Sequence, residues 1–249
     1  MSTLLSTEQV TRSFGATRAL DGVDLSVEAG RSVGIVGESG SGKSTLLRLL
    51  LGLDSPTSGT VRYRDEVLDR RDRGLLRRLR RDVQVVFQDP RSSLDPRMTV
   101  GAAIAEPLRS LKIPGDHRAR VAEVLLAVGL DPDIVSRYPA QFSGGQRQRI
   151  AIARALAPAP SVLIADEPVS ALDVSVRAQV VALLDQLRAE QGLTLVLVSH
   201  DIGIVGQLCE DTVVLHQGRV VERGTTGQVL ADPTEAYTRR LLAAVPRLE

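Results

Sequence analysis

The 249-residue chain contains no asparagine and no tryptophan, one cysteine, and two lysines, Lys43 and Lys112. A single cysteine excludes an internal disulfide and any cysteine-ligated metal cluster within one chain, and Cys209 is expected as a buried, inert thiol. Aromatic residues are scarce, three Phe and three Tyr, so no interleaved set is available for stacking on nucleic-acid bases. The formal charge is only +1, which removes global attraction to a polyanion. Long apolar runs are missing too. The longest, near "LLRLLLGL", falls far short of the roughly 20 residues that span a bilayer. The opening "MSTLLSTEQVTRSF" has neither the basic flank nor the apolar stretch of a secretory signal. The expectation is a soluble, cytoplasmic protein whose work at a membrane would depend on spans supplied by another chain.

What is present is an ordinary globular content, 43% hydrophobic, in a length that suits one core with an inserted subdomain. Residues 4–36 read as short strands: "RALDGVDLSV" alternates and turns at Asp21-Gly22, and "RSVGIVG" runs into a glycine loop. "KSTLLRLLLGL" reads as a helix ended by Gly52, residues 60–68 as a strand, and "VQVVFQD" (83–89) as a buried strand. From about 90 to 157, proline, glycine and helical periodicity take over. "SVLIAD" and "TLVLVSH" are then continuous apolar runs, as in parallel strands covered on both faces, and "TVVLHQGRVVERG" closes as a hairpin. The run "DRRDRGLLRRLRRD" (69–82) invites a nucleic-acid reading, but Leu75, Leu76 and Leu79 form an apolar stripe that leaves the arginines as a solvated face. No internal repeat is visible.

"GESGSGKST" (37–45) fits G-x-x-x-x-G-K-[ST] between a strand and a helix, the context a phosphate-binding loop requires. Gly37, Gly40 and Gly42 leave backbone N–H groups free to wrap phosphates. Together with Glu38, Ser39, Ser41 and Thr45 they form a candidate cradle in which Lys43 reaches the β- and γ-phosphates and Ser44 offers its hydroxyl to Mg2+. "SVLIADEP" ends a strand in two adjacent carboxylates. Beside such a loop, Asp166 would hold Mg2+ directly or through water and Glu167 would polarise the attacking water; standing alone, the pair would read as a helix cap. His200 ends the next strand, either touching the γ-phosphate or as a structural strand-end residue. Ser199, His200 and Asp201 are not a hydrolase triad, because sequence neighbours point apart; Asp201 reads as an N-cap. Gln88 offers an amide to Mg2+ or to the attacking water, or is an exposed turn residue. A second glycine-rich turn, "QFSGGQRQR" (141–149), opens a helix in an anion-receiving shape but carries no lysine. The absence of asparagine excludes the N-K-x-D base-reading motif of a GTPase, and a P-loop kinase would leave "SGGQ" unexplained.

Taken together, these residues resemble the nucleotide-binding subunit of an ATP-binding cassette (ABC) transporter over nearly the whole chain. The family's Walker A motif stands at 37–45, its Q-loop at Gln88, its signature at Ser143, Gly144, Gly145 and Gln146, and its Walker B at 162–167. The D-loop "SALD" ends at Asp173, His200 is the switch histidine, and Phe14 stands where the family stacks an aromatic on adenine. The resemblance implies an α/β P-loop NTPase core with a mainly parallel sheet, an N-terminal antiparallel β subdomain and an inserted helical subdomain. Residues 1–89 and 158–249 would form the core, and 90–157 the helical signature part. It implies an ATPase using ATP and Mg2+, a second ATPase chain bound head to tail so that each signature caps the other's γ-phosphate, integral membrane permease subunits, an extracytoplasmic solute-binding protein reached indirectly, and no nucleic acid. It further implies a place at the cytoplasmic face of the membrane. "FQDPRSSLDPRMTVGAAIAEPL", "RYPAQFSGGQRQRIAIARAL", "DEPVSALDVSVRAQVV" and "AYTRRLLAAVP" resemble ATPases of oligopeptide, dipeptide and nickel importers. Three departures stand out: Phe142 in place of leucine, Gln141 in place of glutamate with the loss of a salt link, and an end soon after "YTRRLLAAVP", which tilts towards nickel-type relatives. The alternative is a soluble ABC ATPase serving DNA repair, translation or cofactor assembly.

Overall fold

The computed structural model describes residues 2–88 and 93–243; the residues just after Gln88 and the end of "AYTRRLLAAVP" lie outside the described residues. In chain order the elements begin with β1 (Thr3–Phe14), β2 (Thr17–Glu28), β3 (Val33–Val36), α1 (Lys43–Leu50), β4 (Ser58–Tyr63) and β5 (Glu66–Val67). They continue with α2 (Arg73–Asp82), β6 (Val83–Val86), α3 (Val100–Ser110), α4 (His117–Ala127), α5 (Gly144–Leu156) and β7 (Val162–Asp166). The last are α6 (Val174–Gln191), β8 (Thr194–Ser199), α7 (Ile202–Leu208), β9 (Asp211–His216), β10 (Arg219–Thr225), α8 (Thr226–Ala231) and α9 (Ala236–Ala243). Two compact units divide them: Met1–Leu79 with Thr194–Glu249, and Arg80–Leu193.

In the first unit β2, β1, β4 and β5 form an antiparallel sheet in that order. The β1–β2 turn falls at Gly15-Ala16, not at Asp21-Gly22, which lies inside β2. The reason is the core. Leu20 and Val23 are both fully buried, yet three residues apart they would point to opposite faces of a regular strand. An extra residue on β2 between the pairs Val10↔Val23 and Arg12↔Leu20 restores them to one face, and Gly22, at φ 66°, carries the β-bulge. The single strand expected over 60–68 is instead the β4–β5 hairpin, turned at Arg64 with φ 54°.

A second sheet of this unit places β3 between β8 and β9, parallel to both, with β10 antiparallel to β9. Every residue of β3 and β8 is buried, which is why their sequences run apolar without alternation. The β9–β10 hairpin turns through Gln217 and Gly218, both at positive φ, as a two-residue hairpin requires. Cys209 is buried, as expected.

The second unit pairs β6 with β7 in parallel. Between them the described residues form helices and short 3-10 turns, with Ile104, Leu108, Leu125, Ile150 and Ile152 fully buried. Strand β6 is shorter than the expected 83–89 and only half covered; Phe87, just past it, is 44% exposed. In α2 the buried residues are Leu75, Leu76 and Leu79, with the arginines outside, as the stripe predicts. The architecture is the α/β fold expected: a parallel core, an antiparallel N-terminal sheet and a helical insertion.

Candidate nucleotide site

In the first unit β3 and β8 end side by side. Val36 pairs with Ser199, so Gly37 and His200 leave the same carboxyl edge of two parallel strands, where α/β sheets gather their ligands. The chain then turns through Gly40 at φ 80° and Gly42 at φ 109° into α1. Unlike α3, α4, α5, α6 and α7, which are capped by Thr99, Asp116, Ser143, Asp173 and Asp201, α1 starts with no side-chain cap and no acidic residue in its first turn. Its first N–H groups are left for an anion. The Ser41 hydroxyl is buried and has no hydrogen-bond partner among the described residues. Lys43, 7% exposed, donates from Nζ to the carbonyls of Gly37 (2.5 Å) and Glu38 (2.9 Å). An orphaned hydroxyl, uncapped amides and a buried ammonium within hydrogen-bond distance of its own loop fit a polyphosphate chain. Two of the glycines are also demanded by the protein: a Cβ on Gly37 would stand 2.2 Å from the Leu215 carbonyl oxygen, and one on Gly42 2.6 Å from that of Ala19.

Helix α9 reaches this loop. The Tyr237 hydroxyl accepts a hydrogen bond from the Glu38 N–H (3.0 Å), and its ring centre lies 3.8 Å from that of His216. Burial pushes the phenol above its ordinary pKa. Sequence reasoning missed this residue, using "AYTRRLLAAVP" only as a subfamily marker; the signal was a tyrosine in an aromatic-poor chain. Phe14, at the end of β1, is 48% exposed. The Arg12 guanidinium sits 4.5 Å from its ring centre, tethered to Asp54 at 3.0 Å, an arrangement the sequence did not announce.

In the second unit, Val86 pairs with Ala165. Asp166 ends β7, and Gln88 and Glu167 follow at the same carboxyl edge of neighbouring parallel strands. Glu167 has φ 45°, the left-handed region that a non-glycine residue seldom adopts. Its carbonyl accepts from the N–H and the hydroxyl of Ser170 at 3.3 and 3.1 Å, which holds the turn. Such strain gathers where a side chain must be aimed. Gln88 is exposed.

Helix α5 opens on a reciprocal cap: the Gln146 N–H donates to Ser143 Oγ (3.3 Å) and the Ser143 N–H to Gln146 Oε1 (3.0 Å). Asp173 caps α6, accepting from the Val176 N–H (3.0 Å) and the Ser175 hydroxyl (2.8 Å). These two donors, in that order, hold its carboxyl below the usual carboxylate range. At the departures, Gln141 accepts from the Tyr138 N–H through Oε1 at 2.8 Å, so its amide is used locally. Phe142 is buried with the Arg137 guanidinium 4.5 Å from its ring centre. Further along the chain from Gln88, Met98 is half-buried, whereas Ile104 is fully buried in the helical core and cannot form part of a docking face.

A cradle at the carboxyl edge of parallel strands, with a lysine-free capped turn on a helical insertion, is the architecture of a P-loop nucleotide cassette. The sequence profile of the ABC transporter family matches residues 20–170, and the chain belongs to that family. It is 50% identical over 95% of its length to the oligopeptide transport ATP-binding protein OppD of Mycobacterium tuberculosis, of which it spans only 39%. It is 48% identical to the oligopeptide transport ATP-binding protein OppF of Salmonella typhimurium, covering 92% of this chain and 70% of that one. Against the dipeptide transport ATP-binding protein DppF of Haemophilus influenzae it is 46% identical, covering 93% and 71%. Among solved structures, cbiO1 from Clostridium perfringens, part of the ABC transporter complex cbiONQ, superposes with a TM-score of 0.84 at 31% identity, covering 93% of this chain and 92% of that one. The dimeric post-hydrolysis state of the ATP-binding cassette MJ0796 bound to ADP and Pi gives 0.79 at 34% identity, covering 90% and 99%. No helix of the described residues is long and apolar enough to cross a membrane.

Proposed function

We propose that this chain is the ATP-hydrolysing subunit that powers import of a small solute through a separate membrane permease, working at the cytoplasmic face of the membrane. The observation that carries the reading is the pairing of two phosphate-receiving turns on one chain. One, at 37–45, has its own lysine and an uncapped helix. The other, at 143–146, is serine-capped and has no cation, which suits a phosphate that arrives already held by a second cassette. Two chains meeting head to tail complete each other's sites. The dimeric state of MJ0796 supports this.

In this reading Phe14 stacks on the adenine and residues 37–45 hold the phosphates. Ser44, Gln88 and Asp166 would hold Mg2+, which when bound would supply positive charge against the phosphates. Glu167 accepts the proton of the attacking water, and His200 contacts the γ-phosphate. Ser143, Gly144, Gly145, Gln146 and Asp173 act on the partner chain's nucleotide. Residues 90–157 form the helical signature part and the flanking segments the core. A groove of the second unit lined by Phe87, Ser93, Glu106, Pro107, Leu111 and Arg154 adjoins the end of β6 and would receive a short cytoplasmic helix of the permease. Relatives named for oligopeptide and dipeptide transport weight the cargo towards peptides over nickel chelates, with a solute-binding protein delivering it outside. Affinity purification from detergent extract, with ATP turnover measured on the product, tests the proposal. An integral membrane protein should co-purify; capture of soluble partners alone would favour a cassette without a transport role.

A further inference from the structure

The two glycines of the signature turn have different surroundings. Gly144 is exposed, and a Cβ built there would have Leu172 Cδ2 at 3.6 Å as its neighbour, an ordinary contact. Gly145 is buried, and a Cβ there would stand 2.3 Å from Val176 Cγ1, far inside contact distance. Val176 is the third residue of α6, and its N–H is the donor at 3.0 Å that fixes the Asp173 carboxylate. A β-branched side chain in a helix has essentially one χ1 rotamer, so Cγ1 has no cheap way to swing aside. One residue therefore touches both turns: its backbone holds Asp173 and its side chain fills the space over Gly145.

We propose that Val176 is a positioning residue that keys the signature turn to the Asp173 turn, and that Gly145 is a glycine in order to admit Val176. Gly144, by contrast, is the position that leaves room for the partner's phosphate. The inference rests on the reading that both turns face a second cassette's nucleotide. It adds that they approach as one body, because the contact between them is rigid and lies within a single unit. Replacing Gly145 would then shift the signature turn against Asp173 while leaving the same chain's phosphate loop untouched.

A double-mutant cycle on the full chain tests this, reading steady-state ATP hydrolysis beside binding of a fluorescent ATP analogue. Gly145→Ala should lower kcat by about tenfold or more with analogue affinity within about twofold, the split that marks a lost positioning contact and not lost ground-state binding. Val176→Ala, which removes the keying contact without adding a clash, should lower kcat by a smaller factor, about threefold, and turnover at the parental rate there would overturn the positioning role. Gly145→Ala/Val176→Ala should return to the Val176→Ala level, a coupling expected only of groups in contact. If the double variant remains as slow as Gly145→Ala, or if Gly145→Ala turns over like the parent, the proposal is overturned. If Gly145→Ala does not accumulate as folded protein, recovery of folded, hydrolysing protein in the double variant supports the proposal, and failure to recover overturns it. Gly144→Asp serves as the separate control: hydrolysis at the parental rate there would sink the two-chain reading itself, whatever the cycle shows.

Discussion

Removing a single oxygen at Tyr237 isolates what α9 does for the phosphate loop. In Tyr237→Phe the ring, its burial and its contact with His216 persist, and only the hydrogen bond from the Glu38 N–H is lost. One such bond contributes about 0.5–1.5 kcal/mol net, because water competes for the freed group. Glu38 lies on the exposed part of the loop, so water can reach its N–H. For a chain of this size, about 1 kcal/mol corresponds to a fall of about 2–4 °C in melting temperature. Binding should weaken as well, because a loop without its brace spends less time in the phosphate-holding shape and apparent affinity falls with that fraction. A loss of about two- to tenfold in ATP affinity follows if the whole bond energy goes into loop order. Tyr237→Ala, which also deletes a buried ring, should cost about 3–5 kcal/mol. Scanning calorimetry and titration with a fluorescent ATP analogue measure both quantities. A Tyr237→Phe protein that melts and binds like the parent, or that is as damaged as Tyr237→Ala, would remove the hydroxyl from this bracing role.

Glu167→Gln should keep ATP binding but slow hydrolysis by about 10²-fold or more, the usual worth of a positioned general base; turnover at the parental rate would remove Glu167 from that role. Gly144→Asp should leave the fold and ATP binding at 37–45 intact yet block ATP-driven dimerisation, because its carboxylate would face a phosphate across a dry contact. Sedimentation in the Glu167→Gln background reads this directly, and undiminished dimer would contradict it. Gln148 is fully buried, and among the described residues neither end of its amide is hydrogen-bonded. Gln148→Met should therefore stabilise the protein by up to about 1–3 kcal/mol, the cost of an unsatisfied buried group; a lower melting point would instead show that internal water serves the amide.

The sequence by itself determined the parts whose physics is local. The spacing of 37–45, set between a buried strand and a helix, defines a turn of backbone amides whatever surrounds it. The acidic pair at 166–167, the Asp201 cap and the apolar runs of β7 and β8 likewise carry their signature in consecutive residues. Turn chemistry was legible only where nothing opposed it. Gln217-Gly218 became the hairpin turn that its dipeptide suggests, while Asp21-Gly22 became a bulge, because Leu20 and Val23 had to share one buried face. The tertiary structure alone decided the contacts between distant segments. Tyr237 meets a loop 199 residues away, Arg12 pairs with Asp54 from beyond α1, and Val176 fills the space over Gly145 because α5 and α6 begin side by side. In none of these pairs does either residue's neighbourhood in the chain reveal the other. Close packing makes a contact depend on which element lies against which, and that is known only once the chain has folded.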